Sequence, residues 1–191
     1  MFRTIRRGIV MTLAVAAGVA LIVPEARAQT DSKREQIAEV WRRAHALQEQ
    51  GKLAEASREY EQAVDLARRH FGPEEEITAT LMNNLAILYR EMVRYAEAEP
   101  LYRRSLAIRE QRLGRDHPDV AQSLNNLAGL YDDIGRYAEA EPLYRRSLRI
   151  REKQLGGDHP DVAGSLSNLA ALYVYMGRYA EAEPLYRRSL A

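Results

Sequence analysis

Two histidines flanked by aspartates come nearest to a metal or acid–base site in this chain. The pattern Asp-His-Pro-Asp occurs at residues 116–119 and again at residues 158–161. Imidazole and carboxylate groups could bind Zn²⁺ or transfer protons. However, His117 and His159 occupy equivalent positions in neighbouring units, and two helix-packing distances of ~8–10 Å would place them too far apart to share one ion. We therefore expect no metal site.

Other catalytic chemistry finds little support. The chain contains no cysteine, which excludes disulfides, thiolate nucleophiles and sulfur-ligated metals. It also lacks a glycine-rich phosphate loop, a nucleophile elbow and a His-Glu-x-x-His pattern. The acidic pairs recur along the chain instead of marking a single place. We predict a protein that is not an enzyme and needs no cofactor.

Asparagines are the best candidates for binding a partner. They form the adjacent pairs Asn83-Asn84 and Asn125-Asn126, and a single asparagine, Asn168, follows. An amide side chain both donates and accepts hydrogen bonds, so a row of amides along a groove could pair with the main chain of a bound peptide. Alternatively, these amides tie neighbouring helices together.

Paired arginines could indicate a phosphate-rich partner. They recur as Arg103-Arg104, Arg145-Arg146 and Arg187-Arg188. A glutamate precedes the first arginine of each pair by four residues, which is the favourable order for an ion pair on a helix. We interpret these arginines as a solvated face with weak ion pairs, and the repeated tyrosines as packing residues.

The distribution of charge argues against nucleic-acid binding. The whole chain has a net charge of +1, with 28 basic and 27 acidic residues. Four of those basic residues and only one acidic residue lie within residues 1–28, so the remainder has a net charge of −2. The main part of the chain therefore lacks the positive excess that non-specific phosphate binding requires.

A repeat of 42 residues organises the chain. Asn84, Asn126 and Asn168 are 42 residues apart, and so are the tyrosines at 95, 137 and 179 and the prolines at 100, 142 and 184. A period in this range indicates a stacked array. Apolar residues follow helical spacing within each unit. We predict an all-α fold of antiparallel helix pairs, with about four repeats at residues 32–72, 75–114, 116–156 and 158–191.

Local signals predict where the helices begin and end. Residues 32–35 read Ser-Lys-Arg-Glu, the form of a capping box, which predicts a helix start at Ser32. The aspartates of the two connectors should cap the helices that follow, and Gly114 and Gly156 should close the preceding helices in a left-handed conformation. The repeated prolines fall inside second helices without interrupting the apolar spacing, so we expect slightly bent helices there.

The repeated residues also resemble a known family. Large, small and aromatic positions match the tetratricopeptide spacing at Leu124, Leu127, Ala128, Tyr131, Ala140 and Tyr144. The 42-residue period and the Leu-Asn-Asn-Leu-Ala segment are similar to the repeats of kinesin light chains. The chain departs from that pattern at Val93, which replaces a turn glycine, and at Trp41-Arg42, which replaces the asparagine pair.

This resemblance implies a right-handed superhelical solenoid whose first helices line a concave groove. In such repeats the second asparagine faces the groove, which here corresponds to Asn84, Asn126 and Asn168. It further implies a scaffold or adaptor that binds a protein or peptide partner.

The N-terminal segment predicts export. Arg3, Arg6 and Arg7 precede an apolar run over residues 8–23, and residues 26–28 read Ala-Arg-Ala. This is typical of a secretory signal peptide cleaved after Ala28, because the run is shorter than the ~20 residues of a membrane-spanning helix. We therefore expect residues 29–191 to form a periplasmic or secreted repeat domain, with membrane contact only if the signal stays uncleaved.

The C-terminal end of the array leaves two further hypotheses open. The last helix stops about halfway along the length of its siblings, at Ala191, which would leave an apolar face uncovered. The chain could therefore be the repeat region of a longer protein whose activity, enzymatic or not, lies in another domain. A weak homodimer through the open end is the second hypothesis.

Overall fold

The computed structural model describes residues 5–190, with side chains from residue 27 onward, and within that span it contains helices and no strands. The helices are α1 Ile5–Glu49, α2 Leu53–His70, α3 Glu76–Glu91, α4 Tyr95–Leu113, α5 Pro118–Asp133, α6 Tyr137–Leu155, α7 Pro160–Tyr175 and α8 Tyr179–Ser189. They form four pairs, each with a first helix (α1, α3, α5, α7) and a second helix (α2, α4, α6, α8). The predicted all-α fold of repeated helix pairs is confirmed.

Each helix packs against the next one along the chain, and α3 also contacts α5. Alanines such as Ala56, Ala98 and Ala140 are fully buried, which lets neighbouring helices approach closely. Tyr102 and Tyr144 fill the space beside them and are 1% and 4% exposed. A helix pair cannot bury its apolar stripe alone, so the stack itself forms the core.

Histidine side chains cap α5 and α7, contrary to the prediction that aspartates would do so. The Nδ1 atom of His117 accepts a hydrogen bond from the backbone N–H of Asp119 at 3.1 Å, and His159 accepts one from Asp161 at the same distance. Asp116 is engaged elsewhere, because its carboxylate pairs with Lys153 at 2.6 Å. The proline after each histidine occupies the first turn, as expected.

The predicted helix start at Ser32 is wrong. Helix α1 runs without interruption from Ile5 through Ser32 to Glu49, so Ser32 lies inside a helix and does not begin one. Glu35 does not reach back to a cap but pairs with Arg42 at 2.6 Å. The positive N-terminal start of the predicted signal peptide and the side chains of its apolar run lie outside the described residues. Among described residues, no helix is both long and apolar enough to cross a bilayer.

The repeated prolines lie inside helices, as the apolar spacing predicted. Pro100, Pro142 and Pro184 fall within α4, α6 and α8. Gly114 and Gly156 follow α4 and α6 with φ of +89° and +85°, as expected, but their ψ values of 156° and 161° are extended and not left-handed helical. That combination is accessible essentially only to glycine.

Val93 occupies a turn position that strongly favours glycine. The equivalent residue between α5 and α6 is Gly135, with φ of +74°, and Val93 adopts φ of +62°. Its side chain is 67% exposed, so little packing offsets the clash of its β-branched side chain with the backbone. The turn is therefore kept by the neighbouring helices against the local preference of valine.

Replacing Val93 with glycine should stabilise the array. We expect Val93→Gly to raise the free energy of unfolding by about 1 kcal/mol, since the strain of the left-handed conformation is removed. Urea denaturation followed by circular dichroism measures this change. The matched substitution Gly135→Val should have the opposite effect, and equal stabilities for Val93→Gly and the wild type would contradict the assignment of strain.

Candidate functional site

The predicted asparagines lie on one surface of the first helices, which we call the asparagine face and define by Asn84, Asn126 and Asn168. Two hydrogen bonds join adjacent repeats across it. Asn126 Nδ2 donates to Asn83 Oδ1 at 3.1 Å, and Asn168 Nδ2 donates to Asn125 Oδ1 at 3.0 Å. The second asparagine of one repeat therefore binds the first asparagine of the repeat before it.

The Asn83–Asn126 contact belongs to a longer chain of hydrogen bonds. Asn126 Oδ1 accepts from Gln122 Nε2 at 2.9 Å, and Gln122 Oε1 in turn accepts from Arg151 Nη2 at 2.8 Å. Arg151 also donates to Ser165 Oγ at 2.8 Å. Polar side chains thus connect the second, third and fourth helix pairs, which is the structural role that the sequence left open as an alternative for these amides.

Asn84 is the exception among the five asparagines. The residue 43 positions before it, where a partner asparagine would lie, is Trp41, which has no amide and packs against the apolar core. Asn84 is half-buried, and its side chain makes no hydrogen bond to any described residue. Asn83 and Asn126 are only 5% and 8% exposed, so their amides are largely used within the fold.

Buried arginines form a second set of contacts between helix pairs. The sequence pattern did not predict these contacts. Arg109 donates to Ser123 Oγ at 2.9 Å and to Thr80 Oγ1 at 3.1 Å, and it is 6% exposed. Arg151 makes the equivalent contact with Ser165. Burial lowers the pKa of Arg109 and of Arg151 because the charged form loses hydration. The sequence signal was an arginine at the same place in two repeats.

The glutamates before the arginine pairs make more contacts than the predicted ion pairs within one helix. Arg103 Nε donates to Glu99 at 2.9 Å, which confirms the expected contact, but Glu99 also accepts from Tyr131 at 3.0 Å and from Arg136 at 2.8 Å. Burial tends to raise the pKa of Glu99, but the hydrogen bonds from Tyr131 and Arg136 lower it overall. Glu141 repeats this arrangement one unit later. These glutamates therefore join one helix pair to the next through hydrogen bonds and ion pairs.

The repeated tyrosines at the ends of first helices also act in packing. Arg136 lies over the ring of Tyr131 with its guanidinium carbon 4.3 Å from the ring centroid, and Arg178 lies over Tyr173 at 4.2 Å. Both rings are buried. Cation–π contacts therefore hold each turn against the helix that precedes it.

The last turns of α3 and α5 form a charged cluster beside the asparagine face. Arg90 donates to both carboxylate oxygens of Asp133, at 2.5 and 3.0 Å, and its guanidinium lies against Gly129, which has no side chain there. Asp132 has one carboxylate oxygen that is buried without a hydrogen-bond partner among described residues. Burial, with the adjacent charge of Asp133, raises the pKa of Asp132.

No group of three or more metal-ligating side chains occurs among the described residues. His117 and His159 instead have their Nδ1 atoms engaged as helix caps, each beside the aspartate whose N–H it binds. The two histidines therefore have a structural explanation.

These features define the class of the protein: a helical repeat array held together by polar contacts between repeats, with an asparagine face along its first helices. A family model described as tetratricopeptide repeat matches residues 36–111, 90–153 and 119–191. The chain belongs to the tetratricopeptide repeat family, which confirms the predicted resemblance.

Solved structures with the same fold include kinesin light chain-like proteins. BtubC (BKLC) from P. vanneervenii is 26% identical, with a TM-score of 0.75 over 80% of this chain, and the chain spans 61% of that protein's length. A putative kinesin light chain from Podospora anserina, with nearly identical TPR-like repeats, is 27% identical with a TM-score of 0.74, and the match covers 81% of this chain and 73% of that one. No curated protein matches significantly.

Removing the amide of Asn126, which joins two repeats, should lower stability, whereas removing the amide of Asn84, which has no hydrogen-bond partner within the described chain, should not. Asn126→Ala deletes two hydrogen bonds and leaves Asn83 Oδ1 buried without a donor, so we expect a loss of about 1–3 kcal/mol in the free energy of unfolding. Asn84→Ala, the matched control, should change it by less than about 0.5 kcal/mol. Urea denaturation checks both, and equal losses would contradict the pairing described above.

The partly buried carboxyl of Asp132 should make stability depend on pH. A pKa raised above its ordinary value of 3.8 means that this group's contribution is intact below about pH 3.8 and is lost as pH rises through the raised pKa. At pH 7 the ionised carboxylate is therefore unfavourable in the fold. We expect Asp132→Asn to raise Tm by about 2 °C at pH 7, measured by thermal melts.

The advantage of Asp132→Asn should disappear below about pH 4, where the wild-type carboxyl is protonated. Asp133→Asn serves as the control, because it breaks the bidentate pair with Arg90 and should lower Tm at pH 7. A gain from Asp132→Asn that is the same at pH 3 and pH 7 would contradict this explanation.

Proposed function

We propose that the chain is an exported scaffold that binds an extended or helical segment of a protein partner along the asparagine face. The observation that carries this proposal is Asn84. Its amide is half-buried on a first helix and makes no hydrogen bond within the described chain, whereas its equivalents in later repeats are used between repeats. A main-chain carbonyl or N–H of a partner is a suitable ligand for such an amide.

Several neighbouring groups keep hydrogen-bonding capacity for the same partner. Asn168 uses its amide nitrogen toward Asn125, and its Oδ1 has no donor among described residues. Gln122 is exposed beside Asn126, and Ile87, one helical turn from Asn84, is 40% exposed. Polar groups that can form hydrogen bonds with the backbone of a partner therefore alternate with an apolar contact, as in grooves that bind peptide segments.

The family supports a binding role over a catalytic one. Tetratricopeptide arrays bury their apolar residues between repeats and present a long surface to partners. The solved relatives are kinesin light chain-like repeat proteins, and we extend to this chain only the expectation of a protein partner.

Export is supported by the N-terminal sequence. Three arginines, a short apolar run and an Ala-Arg-Ala site are the parts of a cleavable signal. In this proposal the mature protein is the repeat domain of residues 29–191, located in the periplasm or outside the cell.

Weak pairing of two copies through the last helix pair is a further part of the proposal. Tyr186 and Leu190 are 37% and 88% exposed, although their equivalents Tyr144 and Leu148 are buried against the next repeat. Burying these two side chains against a second copy would remove apolar surface from water.

Site-specific photo-cross-linking in the producing cell tests this proposal. A photoreactive amino acid replaces Ile87 on the asparagine face, and a second variant carries it at Arg149, which is exposed on α6. We expect the position of Ile87 to capture a discrete partner and the position of Arg149 to capture none, because the partner lies along the first helices. Mass spectrometry of the captured chain should show that residues 1–28 have been removed.

Two controls make the result decisive. Adding Asn84→Ala should reduce capture at the position of Ile87, since it removes a backbone contact without weakening the fold. A third variant, with the photoreactive group at Tyr186, should produce a band with the mass of two chains. Equal capture at the Ile87 and Arg149 positions would contradict the binding face, and an intact N-terminus would contradict export.

A further inference from the structure

Carboxylates accumulate where the first helices end. Glu49, Glu91 and Asp133 are the last residues of α1, α3 and α5, and Asp132 precedes the last of them. We call these four residues the acidic rim. In α3 and α5 the last residue lies seven positions after the asparagine-face residue, which is two helical turns along the same side, and Glu49 lies seven positions after Arg42, the equivalent residue of α1. The acidic rim therefore borders the asparagine face.

Helix electrostatics do not explain the acidic rim. The C-terminal end of a helix carries the negative end of its dipole, so carboxylates there are unfavourable. Helix α5 has two adjacent aspartates and no basic residue in its last turn. The helices α3, α5 and α7 together contain six carboxylates and a single arginine, Arg90, which is already paired with Asp133.

Two members of the acidic rim, Glu91 and Asp132, and the buried Tyr102 near it have hydrogen-bonding groups that the described chain leaves unused or only weakly paired. Glu91 accepts one hydrogen bond, from the neutral amide of Gln48 at 2.7 Å. One oxygen of Asp132 is buried with no donor. The hydroxyl of Tyr102, which is 1% exposed, has no partner either, and the charges that act on it are Arg90 and Asp133. Glu91 and Asp132 are thus carboxylates without a cationic partner among the described residues.

Exposed aromatic rings continue the line of the acidic rim into the fourth repeat. Tyr175, the last residue of α7, occupies the position of Glu91 and Asp133, and its ring stacks on Tyr137 with centroids 6.2 Å apart. Tyr175 and Tyr179 are 66% and 67% exposed. Tyrosine faces attract lysine and arginine, so these rings and the carboxylates favour the same kind of ligand.

We propose that the acidic rim selects the partner: the bound segment is basic, with lysine or arginine at about every third residue in an extended, polyproline-like conformation. This inference rests on the proposed function and specifies the chemistry of its ligand. A carboxylate ends the first helix of each of the first three repeats, and α3 and α5 bind each other directly through Asn83 and Asn126.

The spacing follows from packing dimensions. Adjacent packed helices lie ~8–10 Å apart. A polyproline II segment rises ~3.1 Å per residue with three residues per turn, so side chains on one side recur every ~9 Å. Lysines at every third residue would therefore face successive carboxylates of the acidic rim, and the last one would reach the ring of Tyr175.

Fluorescence anisotropy with three labelled peptides tests this inference on the full chain. The first peptide repeats Lys-Pro-Ala four times, the second has the same composition with its lysines adjacent, and the third replaces each lysine of the first with glutamate. We expect the spaced basic peptide to bind at least about tenfold tighter than the acidic one, and tighter than the clustered one. Raising the salt concentration should weaken this binding, because the contacts are ionic.

A matched pair of variants assigns the effect to the acidic rim. The triple change Glu49→Gln, Glu91→Gln and Asp132→Asn keeps side-chain shape, and should weaken binding of the spaced peptide at least about tenfold. The control Glu55→Gln, Asp65→Asn and Glu183→Gln removes the same charge from exposed positions on second helices and should weaken it less than twofold. Thermal melts check that both variants fold.

The outcomes separate this inference from the function on which it rests. Unchanged binding by the acidic-rim variant, or tighter binding of the acidic peptide, would contradict the proposal that the ligand is basic. Equal affinity for the spaced and clustered peptides would contradict the proposal that the basic residues are spaced three apart. If cross-linking at the position of Ile87 still captured a partner in either case, the scaffold function would stand and its ligand chemistry would be different.

Discussion

The structure depends on a fixed offset between neighbouring first helices, in which a residue meets the residue 43 positions further along the chain. Gln48 contacts Glu91, Arg90 contacts Asp133, and the asparagine pairs follow the same rule. The apolar core alone specifies this register weakly, because every repeat presents similar leucines, alanines and tyrosines to its neighbour. A shifted register would leave buried amides and a guanidinium without partners, at about 1–3 kcal/mol for each group. Polar contacts therefore select one stacking among several that the apolar surfaces permit.

Much of the fold could be predicted from the sequence because repetition and apolar spacing act locally. The helix pairs, the turns after each first helix and the helices that continue through proline all follow from periodicity. Helix caps were harder to predict, because several side chains compete for the same N–H groups. His117 takes the cap of α5 while Asp116 is drawn to Lys153, and that competition depends on distances that only the stacked structure sets.

The candidate site was predictable in its residue types and not in its pairings. The asparagines that the sequence singled out do form hydrogen bonds between repeats, but which amides bind each other depends on how one helix is rotated against the next, and their contact with a partner stays a prediction. Glu99 illustrates the same limit. Its partners Tyr131 and Arg136 recur in the next unit with Glu141, so the correlation was visible in the sequence, but residues 32 and 37 positions away become neighbours only through stacking.

Departures from the repeat carry more functional information than the repeated residues. A residue that recurs in every unit is explained by the contacts that every unit makes. Where Trp41 replaces an asparagine, the amide of Asn84 loses its partner at no cost to packing, because the tryptophan joins the core. Where Asp132 stands, the sibling positions have Arg90 and Val174, and the fold holds a carboxyl whose pKa burial raises. Neither substitution is needed to stack helices, and both place polar groups at the asparagine face or its border. In a repeat array, a group that the stacking does not use is available to a partner, and Asn84 and Asp132 are groups of this kind.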